Sequence, residues 1–293
     1  MDYFIEGTLN INNTVIEKAA IKRLEVFQKI GRPARLVLLE YSPQWALTVN
    51  QDQQDSVVGL FDHIQKAEGF TGQKLTLNGL DARLGYYDRT PLSKARTVDY
   101  TDGDRLVARV HVIPGGAVDT VTYVGAAEQT LETDRYDARG FLSRRQFWYG
   151  GRRTHEEYLS PAGTLQMEVS FNDDGKEIGL IRLIEPDQHF FSMRALIEAY
   201  VQQELGEASA LVCDRRNYDW LLASWPAQQR FQRLYNSAPT AAVPEAVPLA
   251  RKSMPTLPAA VVIDEYRGEA QRVVDGWRQV LVSEGERGDG RNR

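Results

Sequence analysis

Residues 164–171 alternate without a break. Leu165, Met167, Val169 and Phe171 fall on one side, and Thr164, Gln166, Glu168 and Ser170 on the other. A period of two marks a strand with one buried face, because successive side chains of an extended chain point to opposite sides. Turn formers recur around it at roughly a dozen residues' spacing, that of an antiparallel meander: Asp137-Ala138-Arg139-Gly140, Gly150-Gly151, Pro161-Ala162-Gly163 and Asp173-Asp174-Gly175. Gly supplies positive φ, Pro presets φ and Asp bonds its own backbone, so each cluster can reverse the chain. Val-rich runs at 106–113 and 121–124 extend the ladder upstream. Residues 98–185 therefore predict a β-sheet built from consecutive short strands.

The flanks read differently. Tyr3-Phe4-Ile5 is a short apolar strand, followed by a polar loop over 7–13 and a helix over about 14–30. Thr14 and Glu17 fit a capping box, and Ile16, Ala20, Leu24 and Phe27 make an apolar stripe at helical spacing. Gly31 and Pro33 end the helix, and the run 34–39 reads as a strand buried on both faces. A second helix is predicted over 56–66. Beyond the ladder, Met193, Leu196, Ile197, Tyr200 and Val201 restore the helical period up to Gly206. A buried strand over 210–213 and a helix through Trp220, Leu221 and Leu222 follow. An α/β unit opens, a β domain interrupts it, and the α/β unit resumes. Residues 238–260 hold five of the twelve prolines and predict a linker; a helix over 264–283 bearing Tyr266 and Trp277, then a charged tail, close the chain.

Composition narrows the function classes. A formal charge of -5 argues against a generally basic nucleic-acid binder. The lone Cys213 excludes an internal disulfide and a cysteine-built zinc site, and the four histidines show no ligand spacing, so no metal or cofactor is expected. No signal peptide and no transmembrane helix is predicted, which places the expected protein in the cytoplasm.

Several local sequences carry a resemblance. They are the run 15–24 in the first helix, Ala34-Arg35-Leu36-Val37, the run Gly103 to Ala108, Tyr136-Asp137-Ala138-Arg139-Gly140-Phe141 and Val212-Cys213-Asp214-Arg215. In this order, over roughly residues 1–235, the chain resembles the N-terminal half of bacterial teichoic-acid (poly(glycerol-phosphate)) α-glucosyltransferases, family 4 glycosyltransferases of the GT-B fold. The resemblance implies an α/β plus β class: an incomplete Rossmann-like domain (1–90 and 189–237) interrupted by an extended antiparallel β-sheet meander (91–188), with a linker (238–262), a closing helix (263–284) and a tail (285–293). The donor-binding second domain of that family is expected to be missing, because only about 55 residues follow Asn236, fewer than the roughly 100 typical of a domain. Asn236 also stands where the family pattern expects His. The resemblance thus implies a non-catalytic relative that pairs through its β domain, as a homo- or hetero-oligomer, with a full-length glycosyltransferase and helps it fold or holds its teichoic-acid acceptor, in the cytoplasm or peripherally at the inner face of the membrane. Two alternatives stay open: an active glycosyltransferase completed by a partner chain, and a free-standing polyanion- or carbohydrate-binding module.

Candidate residues follow from chemistry. Arg144, Arg145, Arg152 and Arg153 flank Phe147, Trp148 and Tyr149 around the Gly150-Gly151 turn. Guanidiniums fork onto phosphate oxygens and aromatics stack on sugar faces, so this hairpin, with Trp148, is a candidate acceptor or polyanion site. A charged edge hairpin balanced by Glu156 and Glu157 is the plainer alternative. Asn10 and Asn13 lie in the first β-α loop, and Asp214 and Arg215 just after a buried strand, where open α/β sheets take ligands; with Asn236 these are the candidate cleft residues. Asp214 and Arg215 equally suit an internal ion pair, and Asn10 and Asn13 suit turn and cap roles. Glu177 and Glu185 satisfy E-x7-E, the donor-site spacing, but the residues between them read as a strand.

Overall fold

The structure, a computed structural model, describes residues 1–225 and 227–232. The chain opens on β1 (Asp2–Glu6), buried throughout, and runs through α1 (Val15–Lys29) to β2 (Ala34–Leu38). Thr14 caps α1 as its spelling predicts: its hydroxyl accepts from the first-turn backbone, while Glu17 accepts from the Thr14 N–H at 2.7 Å. The predicted helix over 56–66 is shorter than expected. A 3-10 turn (Gln51–Ser56) leads into β3 (Val57–Gly59), and α2 covers only Leu60–Ile64. The β-branched pair Val57-Val58 favours the extended backbone, and Gly59 is still extended at φ -120. A helix not anticipated, α3 (Leu77–Leu84), starts at the Thr76 cap. It buries only Leu80 and Leu84 and carries Gly79 within, which weakens its signature.

Next come ten strands: β4 (Asp88–Arg89), β5 (Thr97–Asp102), β6 (Arg105–Val112), β7 (Val118–Val124), β8 (Thr130–Tyr136), β9 (Leu142–Tyr149), β10 (Arg152–Leu159), β11 (Leu165–Phe171), β12 (Ile178–Leu183) and β13 (Gln188–Phe190). They form one ten-stranded sheet in strict chain order, each described pair antiparallel. On β11, Met167 and Val169 are buried, the face that the alternation assigns to the core. The chain then enters α4 (Met193–Tyr200), capped by Ser192, which runs on into a π-helical turn (Val201–Leu205). It ends on β14 (Ala208–Cys213), a 3-10 turn (Arg216–Tyr218), α5 (Asp219–Ser224) and β15 (Ala227–Gln232). The second sheet has the order β15-β14-β1-β2-β3, with β1–β14 and β14–β15 parallel. The fold is thus a parallel α/β sheet plus a large antiparallel sheet. The expected linker, closing helix, tail and Asn236 lie outside the described residues.

Two compact units emerge. One comprises Met1–Glu6, Thr14–Leu36 and the described chain from Gly206 on; the other comprises Gly7–Asn13 and Val37–Leu205. In the first, Phe4 meets Phe27 edge-on at 5.0 Å and Tyr3 lies 5.0 Å from Trp225. In the second, α3 presses Leu80 and Leu84 onto Val98, Tyr100, Val110 and Val121 of the ladder. The Asp137–Gly140 turn of this unit is not a surface reversal. Arg139 reaches Asp137 and Asp62, each at 2.8 Å, and lies over the Trp45 ring at 5.2 Å. Burial pushes Asp62 up to about 6 even though Arg139 pulls it down.

Candidate functional site

The register of the ladder assembles one wall of a cavity. His111 lies opposite Thr120, Thr120 opposite Arg135, Arg135 opposite Arg144, and Arg144 opposite Tyr158. Directly opposed residues share a face, so this row crosses β6 to β10 on one side of the sheet. Neighbouring positions form the opposite face: Asp134, Arg145, Glu157, Glu168 and Arg182 stand in a second, charged row. Arg144 and Arg145, adjacent in sequence, therefore point to opposite sides.

Two loops supply the other walls. In Gly7–Asn13, Asn13 Oδ1 accepts from the Asn10 N–H at 2.9 Å and Asn10 Oδ1 accepts from the Asn12 N–H at 2.9 Å. The loop is clamped to the segment after β2: the Leu9 N–H donates to Ser42 Oγ at 2.8 Å, and that hydroxyl donates back to the Leu9 carbonyl at 2.6 Å. Gln44 extends the clamp to the ladder by donating to Asp119 at 2.7 Å. Asp119 also takes Arg135 at 2.9 Å and His111 at 3.1 Å, so one buried carboxylate fixes three side chains of the wall. Arg144 is held differently. Its guanidinium lies 4.5 Å over the Tyr41 ring and 5.9 Å over Tyr158. Its nearest carboxylate, Glu156, is 3.8 Å away. Glu156 is already engaged by Arg153 at 2.8 Å, Tyr158 Oη at 2.8 Å and Gln146 at 2.5 Å. Burial works against the Arg144 charge, but Tyr158, Tyr41 and Glu156 outweigh it and raise its pKa. The cavity between these walls has a volume of about 540 Å³, and Asn10, Glu40, His111, Arg135 and Arg144 line it.

The structure thus brings Asn10 and Arg144 to one cavity, although they come from different candidate groups. Asn13 shapes the loop without lining the cavity. The remaining arginines of the hairpin do not line the cavity, and Arg153 meets Arg144 only through their shared carboxylate, Glu156. Arg145 pairs with Asp134 and Glu132, each at 2.9 Å, across the other face. Arg152 donates to the Asp173 carbonyl at 2.7 Å, and Arg153 stacks on Phe171 at 3.9 Å. Trp148 buries its Nε1 without a hydrogen-bond partner. Glu185 binds Lys66 at 2.8 Å, and β12 occupies the interval back to Glu177.

Asp214 and Arg215 belong to a separate network in the first unit, and they do not pair with each other. Asp214 takes both contacts from Arg23 Nη2, at 2.8 and 3.0 Å; Arg215 reaches Glu6 at 3.4 Å and also Glu17. Three carboxylates share two guanidiniums, and Glu6 Oε1 has no partner. Burial, then Asp214, push Glu6 up to about 7 against the pull of Arg215. Both residues are thus ion-paired internally, Asp214 with Arg23 and Arg215 with two glutamates, instead of with each other.

Tyr41, Gln44, His111, Asp119 and Arg135 are not visible as site residues in the sequence. No short spacing links them, because only strand register puts them side by side. No cluster of metal-ligating side chains occurs among the described residues. No helix among them is long and apolar enough to cross a membrane.

Solved structures share this fold. The Glycosylation Associate Protein (Gap123) complex from Streptococcus agalactiae matches at TM-score 0.64 and 19% identity, over 79% of this chain and 51% of that one. Accessory secretory protein 1, 2 and 3 of Streptococcus pneumoniae matches at 0.62 and 15%, over 87% and 60%. The pneumococcal O-GlcNAc transferase GtfA, solved with UDP and GlcNAc, matches at 0.60 and 12%, over 78% and 47%. The chain spans about half the length of these solved relatives, and the likeness to a glycosyltransferase holds at the level of the fold. No curated protein matches the chain. The family model for the first accessory Sec system protein matches residues 9–217, most of the chain, and the chain therefore belongs to that family of accessory Sec system proteins.

Proposed function

We propose that this protein is a non-catalytic, glycosyltransferase-like subunit of a hetero-complex, one that holds a glycosylated or polyanionic acceptor while partner chains act on it. The observation that carries the reading is the accessory Sec family match over residues 9–217 on a fold shared with a glycosyltransferase. The partners are counterparts of the other accessory secretory proteins in the similar complex and of the O-GlcNAc transferase GtfA, itself solved in a GtfA/B complex. Its place is the cytoplasmic face of the membrane. The acceptor is a polymer of the poly(glycerol-phosphate) kind or a glycosylated protein. The ladder supports assembly, because its outer strands β4 and β13 offer unpaired backbone at the sheet edges. Next to them Tyr86 is 98% exposed and Phe191 77% exposed, apolar surface that a partner would cover.

Co-expression with the neighbouring accessory proteins and glycosyltransferase, followed by affinity purification and size exclusion, tests the assembly. A stoichiometric complex is expected, with no sugar transfer from UDP-glucose or UDP-GlcNAc by this chain alone. Transfer by the purified chain would overturn the non-catalytic reading, and failure to co-purify with either partner would overturn the assembly.

A further inference from the structure

We infer that the cavity walled by Asn10, Glu40 and Arg144 receives a single uncharged sugar unit of the acceptor, not its phosphate groups. This rests on the acceptor-holding reading above and names what the holder grips.

The charge arrangement decides between the two ligands. Among the described residues, Arg135 and Arg144 are the only guanidiniums of the lining, and no lysine joins them. Arg135 is committed to Asp119 at 2.9 Å, and His111 shares the same carboxylate at 3.1 Å. Arg144 alone faces no carboxylate closer than 3.8 Å, and Glu40 stands in the same lining. Each phosphodiester of a poly(glycerol-phosphate) acceptor brings one negative charge and is gripped by free cations or by a forked guanidinium clear of acids. Here it would meet one stacked guanidinium and a carboxylate. A sugar hydroxyl both donates and accepts. Glu40 accepts, Arg144 donates, and the Asn10 amide nitrogen donates, since its oxygen is used by the Asn12 N–H at 2.9 Å. Between these polar groups the exposed Ile11 offers apolar surface to the C–H face of a ring, while Leu9, Pro43 and Ile113 are buried. Polar side chains predominate in the lining, and in about 540 Å³ they present the many donors and acceptors that a small polyhydroxylated ligand needs. The wall is also prefixed, because Gln44, His111 and Arg135 are pinned on Asp119 before any ligand arrives.

Saturation-transfer NMR on the full chain tests this with three probes: methyl α-D-glucopyranoside, N-acetylglucosamine and bis(glycerol) phosphate, a glycerol phosphate diester. Transfer to the ring protons of at least one sugar is expected, with the diester at least tenfold weaker. Arg144→Ala should weaken the sugar at least tenfold. Because Arg144 also packs on two tyrosines, Asn12→Trp provides a second block: Asn12 is an exposed lining residue, and the indole placed there would fill the mouth without touching the core. Its thermal unfolding should match wild type while the sugar signal disappears. Arg152→Ala, outside the cavity, should leave the signal unchanged. The diester binding as tightly as the sugars, sugar transfer surviving in Asn12→Trp, or no sugar signal at millimolar concentration would each overturn the inference. An intact complex without sugar binding sinks this inference alone; sugar binding without complex formation sinks only the assembly.

Discussion

Buried with one oxygen unpartnered, Glu6 keeps its proton to about pH 7, where an ordinary glutamate loses it near 4.5. Between these two values the folded chain holds a proton that the unfolded chain has released. Stability from this group is full below about 4.5 and declines as pH rises through about 7, by on the order of 3 kcal/mol. Asp62, raised from 3.8 to about 6, adds a decline in the lower part of the same window. Urea unfolding at pH 5 and pH 7.5 checks the assignment. Glu6→Gln, which cannot titrate, should shrink the difference between the two conditions by most of that amount, and an unchanged difference would refute it. Gly140 makes a second residue-scale case. Its φ is +100, and an added Cβ would collide with the Gln73 carbonyl. Gly140→Ala should cost roughly 2–3 kcal/mol. Gly163, at φ +80 but with open space around it, should cost only about 1 kcal/mol when changed to Ala. Equal shifts of the two urea midpoints would show that the carbonyl can retreat.

Elements whose signals are local are legible in the sequence. Thr14 and Glu17 announce the start of α1, and the apolar run of β2 announces a buried strand, because both messages lie within a few neighbouring residues. Thr14→Ala should cost about 1 kcal/mol in urea unfolding, whereas Thr14→Ser keeps the capping oxygen and should be nearly neutral. The alternation of β11 is equally local, and Met167→Ala, at a fully buried position, should cost about 2–5 kcal/mol. Where the local message is weak, sequence misleads. Val57-Val58 reads as part of a helix that begins only at Leu60, and α3 escapes notice because Gly79 interrupts it and only two of its residues are buried. The cavity lies beyond this kind of reading. Arg144 stands out for its charge and Asn10 for its loop, but their meeting with His111 and Arg135 depends on pairing between strands, which no short window contains.

At the scale of the whole molecule, the ladder offers a surface for association and a wall for a cavity. Phe191→Glu, beside β13, places a charge on an exposed aromatic position and should leave folding intact while weakening the purified complex at least tenfold in a titration by light scattering. An unchanged affinity would move the interface to the β4 end, where Tyr86→Glu makes the matching test. The cavity has a different vulnerability. His111, Arg135 and Arg144 face it only because each occupies the right step of a two-step repeat. The wall is thus a matter of parity. Inserting one residue early in β9 would send Arg144 outward and bring Arg145 in, whereas inserting two would restore it. Over evolutionary time such a wall can change its chemistry by substitution, whereas a single inserted residue leaves it intact only where a bulge absorbs it, as the ladder does between Arg153 and His155.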